Sequence, residues 1–149
     1  MWDCEMILET LARTSMSGSH GYSFSIRDDV VQTGEILAAI VRDLERGMPA
    51  ARIARAFHDT MAEVVARMAV DARAKTGIDA VALSGGCFQN RLLLASSREK
   101  LERLGFTVLV HHRVPANDGG LALGQAVIAA ARLNSESGDS LCASEFRAE

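Results

Sequence analysis

Apolar positions change their spacing along this 149-residue chain, and the changes mark its elements. Within residues 3–14, Met6, Ile7, Leu11 and Ala12 fall on one side of a short helix with an acidic start. The segment TSMSGSHG reads as a loop. YSFSI then alternates as a strand does and runs into the turn-prone Arg27-Asp28-Asp29. Thr33 stands as an N-cap, and Ile36, Leu37, Ile40, Val41 and Leu44 form the stripe of the next helix. Gly47 closes it and Pro49 opens another. Ile53, Phe57, Met61, Val64, Met68 and Ala72 then step by three or four residues, which predicts a long amphipathic helix ending at Gly77.

From Asp79 to Leu83 the pattern becomes a short continuous apolar run, as in a strand buried on both faces of a parallel sheet. Ser84-Gly85-Gly86 follows, then a helix with Leu92, Leu93, Leu101 and Leu104 on its apolar side, stopped at Gly105. FTVLV, residues 106–110, is a second buried strand. After HHRVPANDGG a last helix runs through Leu123, Val127, Ile128 and Ala131. Strand, glycine loop, helix, strand, loop, helix is the order of an α/β domain with a parallel sheet. Residues 134–149 lose periodicity and are expected to form a disordered tail, leaving 1–133 as the folded lobe.

Composition narrows the function classes. Hydrophobic residues make up 48% and charged residues 23%, ordinary for a globular domain. A net charge of −3 and a pI near 5.8 argue against a nucleic-acid-coating protein. No apolar run is long enough for a membrane span, and the N-terminus has no secretory pattern, so a cytoplasmic location is expected. Cys4, Cys87 and Cys142 are scattered without CxxC or CxxH spacing, which supports neither a disulfide framework nor a zinc knuckle.

Both glycine-rich segments, Ser84-Gly85-Gly86 and Asn117-Asp118-Gly119-Gly120, fall at the carboxyl edge of the predicted sheet, where open α/β sheets bind ligands. Each precedes a helix whose free N–H groups and positive dipole end suit an anion. A single glycine pair after a strand reads equally as a tight turn. Asp118 can cap the last helix with Asn117, or offer a hard oxygen to a cation beside phosphates. Cys87 reads as a packed, unreactive thiol, and His58 as a satisfied helix histidine. His111 and His112 read as a solvated loop pair. Arg91 and Arg113 flank the two loops.

ALSGGCFQNRLLL together with RVPANDGGLALGQAVIAA resembles the C-terminal part of the HypF-type carbamoyltransferases, the hydrogenase maturation factors. ARIARAFHDTMAEVV and WDCEMILETLA fit preceding segments of that family, in order, over most of residues 2–132. The resemblance implies a Kae1-like α/β fold: the second lobe of the RNase-H-like actin, sugar-kinase and Hsp70 type, mostly helices around a short parallel sheet. It implies ATP and carbamoyl-adenylate as the nucleotides, with the carbamoyl group passed to the C-terminal cysteine of a HypE-like acceptor protein. Position by position, Ser84, Gly85 and Gly86 with Asn90 match nucleotide-contacting residues. Gly119 belongs to the second cradle. Glu9 falls where related proteins place a glutamate near the ribose, and Asp118 matches an aspartate that helps two histidines hold a divalent metal (magnesium, iron or zinc).

The sequence also departs from the family. It has no HxxxH pair, so a metal is expected only where an N-terminal lobe supplies its histidines. A glycine-bearing loop precedes the LETLA helix in relatives, and Met1-Trp2-Asp3-Cys4 stands in its place. The chain therefore reads as the second lobe without its first strands. Such a lobe would bind nucleotide weakly alone and would expose an apolar face suited to a homodimer. No general acid or base is assigned, because the acceptor cysteine is itself the nucleophile. Two alternatives stand beside carbamoyl transfer in hydrogenase maturation. One is a non-enzymatic nucleotide-binding or dimerisation module, and the other is carbamoyl transfer to another acceptor.

Overall fold

The punctuation in the sequence sets the helix ends. A computed structural model describes residues 4–15 and 21–136. In chain order it contains α1 (Cys4–Thr14), β1 (Ile26–Arg27), β2 (Val30–Val31), α2 (Thr33–Glu45), α3 (Ala50–Thr76), β3 (Ala80–Leu83), α4 (Arg91–Arg103), β4 (Thr107–Val110) and α5 (Leu121–Glu136). Two 3-10 turns, Gly86–Gln89 and Asp118–Gly120, lead into α4 and α5. Pro49 caps α3 at its start, and Gly77, with φ 73°, ends it in the left-handed region as a C-terminal glycine does. Gln32, not Thr33, is the N-cap of α2; Thr33 is already helical.

The 27-residue α3 is the axis, and α1 and α4 pack most extensively against it. Of the large-residue stripe read from sequence, only Ile53 is buried. Ala54, His58, Ala62 and Ala66, four residues apart, form a ridge of mostly small side chains, each 3% exposed or less, while Met68 is 48% exposed. Small residues let neighbouring helices approach closely, and fully buried Ala12 of α1 is small in the same way. A second cluster gathers Leu83, Leu101 and Phe106, with Val65, Val70, Val81, Phe88 and Leu94 against it. The Arg73 guanidinium lies 4.0 Å over the Phe106 ring and donates to the Leu104 carbonyl oxygen, tying the end of α3 to the entry of β4.

β3 and β4 pair in parallel, in register from Ala80–Thr107 to Leu83–Val110, with α4 as the crossover. The two-sided burial expected of these strands is not observed. Leu83 is buried and Val81, Val108 and Val110 are half-buried, but Ala80, Ala82 and Leu109 are exposed. One sheet face rests on the helices and the other is uncovered among the described residues. YSFSI is likewise mostly not strand: only Ile26 enters the β1–β2 hairpin, whose turn residues Asp28 and Asp29 both have positive φ. The preceding segment is pinned to α3, where the Tyr22 N–H donates to Thr60 Oγ1 at 2.7 Å. A side chain at Gly21 would meet Thr60 at 3.0 Å, so glycine is required for this approach.

α5 is exposed at every described side chain, and α2 exposes Leu37, Val41 and Leu44. Among the described residues no helix is long and apolar enough to cross a membrane. α5 continues to Glu136, three residues into the expected tail; the rest of that tail, 137–149, lies outside the described residues, as do Met1–Asp3 and residues 16–20 with His20.

Candidate functional site

A cleft of about 450 Å³ opens between α1 and the start of α4, lined by Met6, Glu9, Thr10, Arg13, Gly86, Gln89, Asn90 and Arg91. Four residues singled out from sequence, Glu9, Gly86, Asn90 and Arg91, thus meet at one place. The wall from α4 is built around Asn90, its N-cap, whose Oδ1 accepts from the Leu93 N–H at 2.9 Å. α4 has no acidic residue in its own first turn, and α1 supplies one. Glu9 Oε1 accepts from the Leu92 N–H at 3.3 Å and pairs with Arg13 at 3.1 Å. A carboxylate is favourable at this positive helix end.

That arrangement corrects one expectation. The N-terminal N–H groups of α4 at Leu92 and Leu93 are not free for an anion, because Glu9 and Asn90 occupy them. A phosphate placed there would face the Glu9 carboxylate. Hydroxyl groups, which can donate to a carboxylate, suit the same position.

The second loop joins the first directly. The Gly85 N–H donates to the Ala116 carbonyl oxygen at 2.8 Å, and His111 Nε2 lies 2.8 Å from Ser84 Oγ. His111 and His112 are both exposed, as expected of a solvated loop pair, and His111 also bridges the two loops. Gly85 takes φ 102°, which other residues rarely adopt, while a Cβ at Gly86 would meet nothing within 4 Å. Crowding explains Gly120, where a Cβ would lie 2.9 Å from Val114 Cγ1. Asn117 caps the following turn through the Gly119 N–H at 3.1 Å, and Asp118 is exposed beside it. Among the described residues no group of three His, Cys, Asp or Glu side chains could hold a metal ion. Ser84, Gly85, Asp118 and Gly119 are not part of the α1–α4 cleft lining, nor is the exposed Arg113.

Two further residues differ from their sequence reading. Cys87 is an exposed thiol in the 3-10 turn, not a packed one. His58 is satisfied, as expected of a helix histidine, but it is buried and joined to the site: its Nε2 lies 2.8 Å from Asn90 Nδ2. The only sequence signal for that link was a histidine at an alanine-spaced position. A larger groove of about 900 Å³ lies between residues 21–29 and α3, lined in part by Asp29, Glu63, Arg67, Asp71 and Lys75. Most of its charged groups are in ion pairs, Asp29 with Lys75, Glu63 with Lys100 and Arg67 with Asp71, so it reads as a hydrated surface despite its size. Near it, burial and the hydrogen bond its hydroxyl donates to Asp43 push the Tyr22 phenol up to about 12.

Comparison with known proteins bears on this geometry. The family model described as "Carbamoyltransferase, Kae1-like Domain, second subdomain" matches residues 3–125. Carbamoyltransferase HypF of Rhodobacter capsulatus is 48% identical over 84 residues, 56% of this chain and 11% of that protein. A carbamoyltransferase HypF homolog of Cupriavidus necator is 43% identical over 96 residues, 64% of this chain and 24% of that protein. A crystal structure of full-length HypF in the phosphate- and nucleotide-bound form superposes with a TM-score of 0.77 at 42% identity, covering 86% of this chain and 17% of that one. The chain thus spans a small part of the length of the proteins it matches.

Proposed function

The chain belongs to the HypF-type carbamoyltransferases as their Kae1-like second subdomain, and from that premise we propose that its α1–α4 cleft receives the adenosine end of a nucleotide in carbamoyl transfer. The observation that carries this reading is the meeting of Glu9, Gly86 and Asn90 in one cleft, from positions some eighty residues apart. Glu9 accepts hydrogen bonds from ribose hydroxyls, since its charge repels phosphate. Gly86 leaves open space for close approach, and Asn90 offers an amide. The phosphate end then lies towards the second loop, with Gly119 and the Asp118 side of the site.

In the reaction proposed for the assembled protein, carbamoyl phosphate is hydrolysed to carbamate and phosphate, and a carbamate oxygen attacks the α-phosphorus of ATP, giving carbamoyl-adenylate as pyrophosphate leaves. A cysteine thiolate of a HypE-like acceptor attacks the carbamoyl carbon. The C–S bond forms as the C–O bond to the adenylate breaks, and AMP leaves. This chain's residues bind and orient the adenylate. Among the described residues Asp118 contributes a single carboxylate, which does not by itself make a metal site.

A second reading, an interaction module that pairs with a first lobe or with another copy of itself, is favoured by the uncovered apolar faces of α2 and α5. Titration calorimetry of the full chain with ATP and with adenosine, with and without magnesium, separates the two. Binding that survives loss of the phosphates, and is abolished by Gly86→Val and weakened by Glu9→Gln, supports the nucleotide reading. A folded chain that takes up neither ligand and sediments as a dimer overturns it for this chain.

A further inference from the structure

His58 is the one polar member of the alanine ridge of α3, 3% exposed and absent from the cleft lining. Its ring has two partners, and their chemistry fixes every proton in the chain of contacts. The Ala54 carbonyl oxygen, 2.8 Å from Nδ1, can only accept, so Nδ1 carries the hydrogen. The Leu93 N–H can only donate, so the Asn90 atom facing it is the oxygen. That leaves the Asn90 nitrogen facing His58 Nε2 at 2.8 Å, and the bond forms only if Nε2 is bare. Turning the Asn90 amide over would set two donors against each other at Leu93 and two acceptors at His58. One assignment alone satisfies all three contacts. The Phe57 ring stands edge-on to the imidazole, 6.1 Å between centroids at 88°, beside the buried ridge.

From this geometry we infer that His58 is a positioning residue for the cleft: its Nδ1–H form holds the Asn90 amide so that one N–H is spent on the imidazole and the other is committed as a donor to the site. A backbone carbonyl of α3 thereby dictates, through one ring, what Asn90 can recognise at the start of α4. The group recognised is a hydrogen-bond acceptor such as a nucleotide oxygen. Only that last step rests on reading the cleft as a nucleotide site.

The test uses the full chain and two kinds of measurement. Nitrogen NMR of the wild type is expected to show His58 protonated at Nδ1 and bare at Nε2, with one Asn90 side-chain proton coupled across the bond to the ring. His58→Gln keeps an acceptor within reach and is expected to retain a slowly exchanging Asn90 amide proton. His58→Leu keeps the bulk and is expected to lose it, with an unchanged thermal transition in neither case being required. ATP titration is then expected to weaken roughly three- to tenfold in His58→Leu, the range of one hydrogen bond, and to recover in His58→Gln. In an Asn90→Ala background the His58→Leu change should add nothing, because its effect passes through Asn90. An Nε2–H tautomer, an Asn90 amide indifferent to His58→Leu, or a full additional loss in the Asn90→Ala background overturns the inference. A wild type with the expected NMR signature but no uptake of ATP supports the positioning role and overturns the nucleotide reading instead.

Discussion

α4 and α5 are both amphipathic helices that follow a glycine loop at the same sheet edge, yet they live in different surroundings. Leu101 of α4 is fully buried against α3 and the sheet, while Ile128 of α5 is 56% exposed. α2 resembles α5: its stripe is as regular as any in the chain, and of it only Ile36 is buried. Periodicity tells which face of a helix is apolar. It does not tell what covers that face, because cover is supplied by elements distant in sequence.

Substitutions sharpen this contrast, beginning with the packed side. Leu101→Ala should lower unfolding free energy by about 2–5 kcal/mol, seen as a shift of the urea midpoint at unchanged slope. The glycine loop should give the next largest effect. Gly85→Ala, at φ 102°, should cost about 1–3 kcal/mol, whereas Gly86→Ala meets open space and should leave the midpoint within about 0.5 kcal/mol. Ile128→Ala on α5 should also stay within about 0.5 kcal/mol; a loss like that of Leu101 would show that α5 is covered in solution. A pH-dependent effect belongs to Tyr22. Its folded phenol titrates about 12 against 10.0 unfolded, so its contribution is whole below pH 10 and is lost as pH rises towards 12. Tyr22→Phe should flatten the alkaline arm of the stability profile there.

The Kae1-like architecture expected from the motifs is the one the chain has, and the ends marked by Gly47, Pro49, Gly77 and Gly105 were legible because their chemistry is local. The helical stripe of α3 was misread because Met and Phe dominate a hydrophobic pattern, whereas close helix packing selects Ala54, Ala62 and Ala66. Free N–H groups at the start of α4 were expected from its position after the glycines. Leu93 is capped locally by Asn90, but the partner of Leu92, Glu9, lies 83 residues away, where no local rule could place it. His58 was hidden for the same reason, since its role depends on an asparagine thirty-two residues on.

The Glu9–Leu92 bond spans 83 residues, and closing a loop of that length costs about 4 kcal/mol of chain entropy before any contact repays it. Local elements such as α3 can form as the polypeptide emerges during synthesis. The cleft cannot, because one wall belongs to α1 and the other waits for α4, some eighty residues later. Ligand-binding competence is therefore a late product of folding, and a nascent chain that stops short of α4 has α1 without the helix end its carboxylate is meant to meet.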